Sequence, residues 1–197
     1  VLTYDGSKLA LATPAGGGIG EYIGDSIAIS SDDSALANDD GTSNKNIGIG
    51  PLALQYISSN GGSVGVGYEA GRNATGENNI GIGMHALAGD FTSKLTGGNN
   101  VGIGYQPGYN LTTGNYNVLT GREAGYNLTT GNGNILSGYL AGKNATTASN
   151  TIAMGHQAMS TGITTGGDNI AIGRLAGSDL TSAGDSVLIG RNAGNNT

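Results

Sequence analysis

A short alternating pattern of apolar and small residues recurs ten times along the chain. Its commonest form is Asn-Ile-Gly-Ile-Gly-x-x-Ala, with Val in place of the first Ile in some repeats, and its spacing is most often 17 residues. A fixed period of this kind is typical of repeat architectures, in which each unit stacks on its neighbours. The sequence therefore predicts an all-β parallel β-solenoid of ten coils over 25–197, preceded by N-terminal strands and a linker over 1–24. The coils begin at Ile27, Ile47, Val64, Ile80, Val101, Val118, Ile135, Ile152, Ile170 and Val187.

Each repeat opens with a predicted strand. In Ile80-Gly81-Ile82-Gly83, a period of two places Ile80 and Ile82 on one face and Gly81 on the other. We expect the two isoleucines to point into the core, together with Ala86, which would lie on a second short strand. The glycine in fourth place predicts a corner with positive φ or a close backbone contact. No segment has an apolar period of 3.6 residues, so we expect no long helix.

The segment before the repeats has a different pattern. Residues 1–12 predict two short strands around an Asp5-Gly6 turn. Residues 13–18, which include one proline and three glycines, predict a linker.

The residue between the two apolar positions of each strand is small or apolar in every repeat. A strand that is apolar on both faces is usually covered on both sides. We therefore expect this register to be the interface of a homotrimer; the alternative is a monomer whose leucines would be exposed. The predicted interface residues are Gly48, Gly65, Gly81, Gly102, Leu119, Leu136, Ala153, Ala171 and Leu188.

These strands resemble repeats of known fibres. The stretches 26–29, 151–155 and 169–173 are similar to the Ser-Val-Ala-Ile-Gly head repeats of YadA-like trimeric autotransporter adhesins. The stretches 67–71 and 138–142 resemble the Asn-x-Ala-Ile-Gly-Tyr-x-Ala-Leu arrays of phage tail fibres and bacterial surface fibres. The resemblance covers 25–196, although the repeat here is longer. It implies a trimeric left-handed β-roll in an extracellular adhesive or receptor-binding fibre.

Composition narrows the range of functions. Glycine accounts for 39 of 197 residues, and the chain has no tryptophan and one phenylalanine, which favours a thin core. With a formal charge of −6 and eight lysines and arginines, the chain has no basic stripe for nucleic acid. No apolar run reaches the roughly 18 residues of a membrane span. The absence of cysteine excludes disulfides and thiolate chemistry.

Tyrosines concentrate in three consecutive coils. Stacking is expected to align Tyr105, Arg122 and Tyr139 in one vertical row, because each follows a corner glycine. A second row, four residues further along each coil, contains Tyr109, Tyr126 and Lys143. Aromatic rings and cations of this kind predict a surface that stacks on sugars and binds acidic groups of a cell-surface glycan or receptor. The alternative is a tyrosine ladder that stiffens the rod or fills the seam between chains.

Other motifs have structural interpretations. Gly65-Val-Gly67-Tyr-Glu-Ala70 matches a dinucleotide-binding pattern but recurs along the array without a following helix, so we expect no cofactor. Four glycosylation-type sequences fall in one register and predict an asparagine ladder in turns. The acidic loop at 32–40 lacks a calcium-binding pattern. His85 and His156 lie four coils apart, so we expect surface residues and no metal site. The asparagines of the four glycosylation-type sequences are Asn73, Asn110, Asn127 and Asn144.

The sequence favours a non-enzymatic adhesive or receptor-binding fibre segment. Glycoside hydrolysis needs two carboxylates about 5–10 Å apart, whereas Glu69, Glu123 and Asp179 are well separated along the rod. Two alternatives remain: a fibre-borne glycan hydrolase with a site between chains, and a purely structural shaft. An ice-binding threonine array is disfavoured, because the threonine pairs lie in predicted turns.

Overall fold

The computed structural model describes residues 2–4, 9–11, 21–23, 26–31, 34–39, 45–57, 61–89, 92–162, 165–181 and 184–195. Within these ranges the chain forms strands and turns and no helix, which confirms the all-β class. The strands are β1 (Leu2–Tyr4), β2 (Leu9–Leu11), β3 (Glu21–Ile23), β4 (Ser26–Ile29), β5 (Ile47–Ile49), β6 (Val64–Val66), β7 (Ile80–Ile82), β8 (Val101–Ile103), β9 (Val118–Thr120), β10 (Ile135–Ser137), β11 (Ile152–Met154), β12 (Ile170–Ile172) and β13 (Val187–Ile189).

Strands β4 to β13 stack in chain order as ten parallel strands of one sheet. Each strand pairs with the equivalent residues of the next coil, as where Ile135 lies opposite Val118 and Ile152. This repeated register confirms the predicted β-solenoid. Strand β3 pairs antiparallel with β4 at the N-terminal edge of the sheet. Strands β1 and β2 pair antiparallel as predicted, whereas the Asp5-Gly6 turn and the linker at 13–18 lie outside the described residues.

The face of the sheet that lines the core is the opposite of the one expected from the sequence. The middle residue of each strand points inward: Leu119 and Leu136 are fully buried, whereas Ile82 and Ile135 are 38% and 40% exposed. The prediction that Ile80 and Ile82 fill the core was therefore wrong. The register predicted as the trimer interface lies inside the coil of a single chain. It comprises Gly48, Gly65, Gly81, Gly102, Leu119, Leu136, Ala153 and Ala171, which are buried, and Leu188, which is half-buried against the core.

The core is too thin to accept a large residue from both of its walls. A Cβ added to Gly102 would lie 2.7 Å from Cγ of Leu87, which projects from the opposite wall of the preceding coil. The relation is reversed two coils further on, where a Cβ on Gly125 would lie 3.0 Å from Cδ1 of Leu136. Large and small residues thus alternate across the interior, which is how a narrow core reaches crystal-like packing density.

The return wall of each coil consists of turns. Ala124 is fully buried, as expected for its register. In the described residues, however, the predicted second strand does not form, because Glu123 and Gly125 on either side of Ala124 have φ of 54° and 59°. Such alternation of conformation is incompatible with an extended strand. The turns still bond along the stack, as where Gly125 N donates to Ala141 O at 2.9 Å.

The glycine that ends each strand forms the predicted corner. Its φ lies between 113° and 134° from Gly50 to Gly190, a region that only glycine adopts readily. A Cβ on Gly138 would also lie 2.5 Å from the carbonyl oxygen of Gly155 in the next coil. Close backbone stacking and positive φ therefore both require glycine at this position.

A buried asparagine ladder precedes the strands. The Oδ1 atom of Asn100 accepts hydrogen bonds from the backbone N and from Nδ2 of Asn117, each 3.0 Å long. Nδ2 of Asn117 also donates to Gly131 O at 2.9 Å. Asn134 repeats this arrangement one coil further on. The ladder satisfies buried polar groups at the point where the chain enters each strand.

Candidate functional site

The exposed side of the sheet is an apolar surface, which we call the outer face: Ile27 and Ile29 of β4 and the first and third residues of strands β5 to β13. Nine of its large side chains are between 37% and 67% exposed. Together they form one apolar column along the stacked strands. A contiguous exposed apolar surface of this kind is typical of one that contacts another molecule. The nine residues are Ile29, Ile82, Ile103, Val118, Ile135, Met154, Ile172, Val187 and Ile189.

Two hydroxyl side chains interrupt the outer face near its middle. Thr120 and Ser137 occupy the third strand position in β9 and β10, where most coils have isoleucine, valine or methionine. Oγ1 of Thr120 lies 2.9 Å from Oγ of Ser137, so each hydroxyl has a partner in its own chain. The interruption therefore presents a satisfied polar pair within an apolar sheet.

The first predicted row lies beside the outer face, just beyond the corner glycines. The guanidinium Cζ of Arg122 lies 5.6 Å from the ring centroid of Tyr105 and 5.7 Å from that of Tyr139. His156 continues the row, with its ring centroid 4.9 Å from that of Tyr139. All four side chains are exposed. The guanidinium therefore lies against two rings of its own chain, while 58% of the Arg122 side chain stays exposed.

The second predicted row is also stacked on itself. The rings of Tyr109 and Tyr126 are nearly parallel, at an interplanar angle of 5°, with their centroids 5.4 Å apart. Nζ of Lys143 lies 5.8 Å from the Tyr126 centroid and 2.8 Å from Oε2 of Glu123. The ring faces between neighbouring coils are thus in contact with other side chains of the row. A sugar that approaches from outside meets ring edges and hydroxyls more readily than ring faces.

Glu123 connects the two rows. Its Oε1 lies 3.3 Å from Nε of Arg122 in the first row, and its Oε2 pairs with Lys143 in the second. The hydrogen bond from Lys143 lowers the pKa of the Glu123 carboxyl, and the charges of Lys143 and Arg122 lower the pKa further, against desolvation, which raises it. The carboxylate is therefore held in its charged form and neutralises part of the local positive charge.

The sequence analysis missed a cluster of polar side chains centred on Glu69. Oε2 of Glu69 lies 3.4 Å from Nη1 of Arg72 and 3.2 Å from Nδ1 of His85. The imidazole packs edge-on against Tyr68 and Tyr109, and only 19% of its side chain is exposed. His85 is thus mostly buried, and the expectation of an ordinary surface residue was wrong for it. Glu69 and His85 occupy the same register in adjacent coils, and this shared register is the signal that could have revealed the contact.

Three of the four glycosylation-type asparagines form the predicted ladder. Nδ2 of Asn110 donates to Oδ1 of Asn127 at 3.0 Å, and Nδ2 of Asn127 donates to Oδ1 of Asn144 at 2.8 Å. Asn73 is buried. Of the acidic loop, Asp39 belongs to the described residues, whereas Asp32, Asp33 and Asp40 lie outside them. In the part of the chain that the structure describes, no three His, Cys, Asp or Glu side chains form a group that could hold a metal ion.

Comparison with protein-family models, with curated proteins and with solved structures found no match. In the described ranges, no helix is long and apolar enough to cross a membrane. The outer face and the two rows beside it are the candidate contact surfaces of the chain.

Proposed function

We propose that this chain is a non-enzymatic adhesive or receptor-binding segment of an extracellular trimeric fibre that contacts cell-surface glycan. The observation that carries the proposal is the apolar outer face. Three copies whose outer faces turn toward a common axis would cover it, while the return walls and their turns stay in water. This assignment places the homotrimer contact on side chains such as Ile82 and Ile103 in place of the glycine register predicted from the sequence.

The outer face has the composition of a stable protein–protein contact. Its large side chains are apolar, and the β-branched ones have few rotamers to lose on packing. The core of a protein–protein interface is likewise apolar and depleted in charged residues. The resemblance to trimeric fibre repeats supplies the number three.

Glycan contact is proposed for the second row, Tyr109, Tyr126 and Lys143, because the first row borders the outer face and would lie beside the seam between chains. The second row presents phenol hydroxyls, ring edges and the ammonium group of Lys143, which together suit hydrogen bonding to sugar hydroxyls and acidic groups. Binding by ring edges is shallow, so we expect weak contacts at each site that gain strength from three chains on one fibre.

The experiment measures binding and turnover of cell-surface oligosaccharides, together with attachment to cells. Replacement of Tyr109 and Tyr126 by phenylalanine keeps the stacked rings and removes their hydroxyls. This variant should melt like the parent and bind glycan at least threefold more weakly. Tyr56→Phe, at an exposed tyrosine outside the rows and away from the outer face, is the matched control. Cleavage of any glycan at enzymatic rates would contradict the proposal and favour the hydrolase.

A structural shaft is the second candidate. It is favoured by the stacked contact between Tyr109 and Tyr126, which engages the ring faces that a ligand would use. In that case neither glycan binding nor cell attachment is detected, and replacement of both tyrosines by alanine lowers the melting temperature alone.

A further inference from the structure

Two columns of side chains flank the outer face symmetrically. The arginine border lies two positions after the third residue of each strand, beyond the corner glycine. The aspartate border lies two positions before the first residue of each strand. From coil 2 to coil 10 the arginine border contains Pro51, Tyr68, Met84, Tyr105, Arg122, Tyr139, His156, Arg174 and Arg191, and the aspartate border contains Lys45, Gly62, Asn78, Asn99, Tyr116, Gly133, Asn150, Asp168 and Asp185.

Backbone hydrogen bonds hold both columns in line with the stack. Leu175 N donates to the carbonyl oxygen of His156, and Asn192 N donates to that of Arg174, at 3.0 and 2.9 Å. On the other side Asp168 N donates to Ser149 O at 2.9 Å. Each coil therefore presents one residue of each border at nearly the same height.

The residues of the two borders match coil by coil. In the two coils at the C-terminal end, Arg174 accompanies Asp168 and Arg191 accompanies Asp185. The remaining arginine, Arg122, accompanies Tyr116, which is 67% exposed. In the other described coils the aspartate border has no acidic residue. In the coils where the arginine border has Tyr68 or Tyr139, the aspartate border has a glycine. The two borders are thus complementary in both charge and side-chain volume.

The two borders of one chain do not reach each other. Asp168 lies two residues before and Arg174 two residues after the three-residue strand β12. At about 3.3 Å per extended residue the strand alone spans roughly 10 Å, and the flanking residues add to the separation. All four charged side chains are exposed. Asp168 accepts a hydrogen bond from Nδ2 of Asn150, and Arg174 and Arg191 form no ion pair with any described residue. The opposite charges are complementary without being paired in one chain.

We propose that the arginine border of each copy pairs with the aspartate border of the next copy in a parallel, in-register trimer, with Arg174 against Asp168 and Arg191 against Asp185. This inference rests on the trimer proposed above. Rotation about an axis parallel to the rods brings opposite borders together at equal height. An antiparallel arrangement would bring like borders together. The charges therefore favour the parallel, in-register assembly over antiparallel and register-shifted assemblies.

The test reverses and then exchanges one charge pair. Arg174→Asp places two acidic residues at each contact, and Asp168→Arg places two basic ones. Each single variant should raise the dissociation constant of the trimer at least tenfold at low salt, as measured by sedimentation over a dilution series. The double variant exchanges the charges and should return the dissociation constant to within about threefold of the parent value. Because the residues are too distant to pair within one chain, this recovery reports an intermolecular contact.

Controls separate folding from assembly. Lys94→Asp makes the same charge change at an exposed lysine away from both borders and should leave the mass unchanged. Circular dichroism at each dilution reports folding. If Arg174→Asp misfolds, Arg174→Gln serves instead and should weaken the trimer while reducing its salt dependence.

The two proposals fail in different ways. A monomeric parent protein would overturn the trimer and the border pairing together. A trimeric parent with unaffected single variants, or without recovery in the double variant, would overturn the border pairing and leave the trimer standing.

Discussion

The exchange of large and small residues across the thin core provides a quantitative prediction. Leu136→Gly removes a fully buried side chain and should cost about 3–5 kcal/mol through the cavity that it leaves. Gly125→Leu adds a Cβ only 3.0 Å from Cδ2 of Leu119 and from Cδ1 of Leu136, so overpacking should cost about 1–3 kcal/mol. The left-handed backbone at Gly125 adds strain of roughly 1–2 kcal/mol. Together the two single changes cost roughly 5–10 kcal/mol.

The double variant exchanges the two residues and should lose much less stability. Its added leucine would have the volume vacated at Leu136, and the backbone at Gly125, with φ of 59°, resembles that of Leu87, with φ of 50°, at the same register. Left-handed strain of roughly 1–2 kcal/mol remains. We expect a total loss of about 1–4 kcal/mol, and therefore a coupling of about 3 kcal/mol or more between the two positions.

The assay is urea denaturation at one fixed protein concentration, followed by circular dichroism. Ile135→Gly is the matched control, because Ile135 neighbours Leu136 on strand β10 but points to the outer face. Its combination with Gly125→Leu should be additive to within about 0.5 kcal/mol. Additive losses for Leu136→Gly and Gly125→Leu would refute the inferred packing across the core.

Three further predictions concern the corner glycines, the buried asparagine ladder and the ion pairs of Glu123. Gly138→Ala should destabilise the protein by about 3 kcal/mol or more in thermal melts, since its Cβ would meet the next backbone; an unchanged melting temperature would contradict this. Asn117→Ala leaves buried partners unpaired and should cost about 2–4 kcal/mol, whereas exposed Asn132→Ala should cost less than about 1 kcal/mol. Because the folded pKa of Glu123 is lowered, its contribution to stability is present above the ordinary carboxyl pKa and is lost as pH falls through the folded value. The Glu123→Gln variant should therefore show a smaller loss of stability on acidification than the parent.

The repeat itself could be predicted from the sequence. The starts of the ten coils, the corner glycines and the inward alanines follow from local rules of strand alternation and glycine conformation. They depend on each coil separately, so a single sequence is sufficient to find them.

Which face of the sheet lines the core could not be predicted in the same way. Alternation separates Ile82 from Gly81 but does not say which face is inside, and the larger side chain was assigned to the core. The decisive information lies in the opposite wall, where Leu87 fills the space beside Gly102. This correlation joins residues of different coils and becomes apparent only when the width of the interior is known.

The candidate site was predicted in part. Stacking placed Tyr105, Arg122 and Tyr139 in one row, because equivalent positions align in any solenoid. Ring orientation was not predictable, since it depends on contacts between neighbouring side chains, such as the parallel stack of Tyr109 on Tyr126.

The most direct test of the account is the mass of the assembled protein in solution. Three chains of 19.4 kDa correspond to a particle of about 58 kDa. Sedimentation equilibrium should give this mass, and Ile103→Asp, a change on the outer face, should give a folded monomer. A parent protein that sediments at 19.4 kDa at every concentration, with the outer face in water, would contradict the central claim.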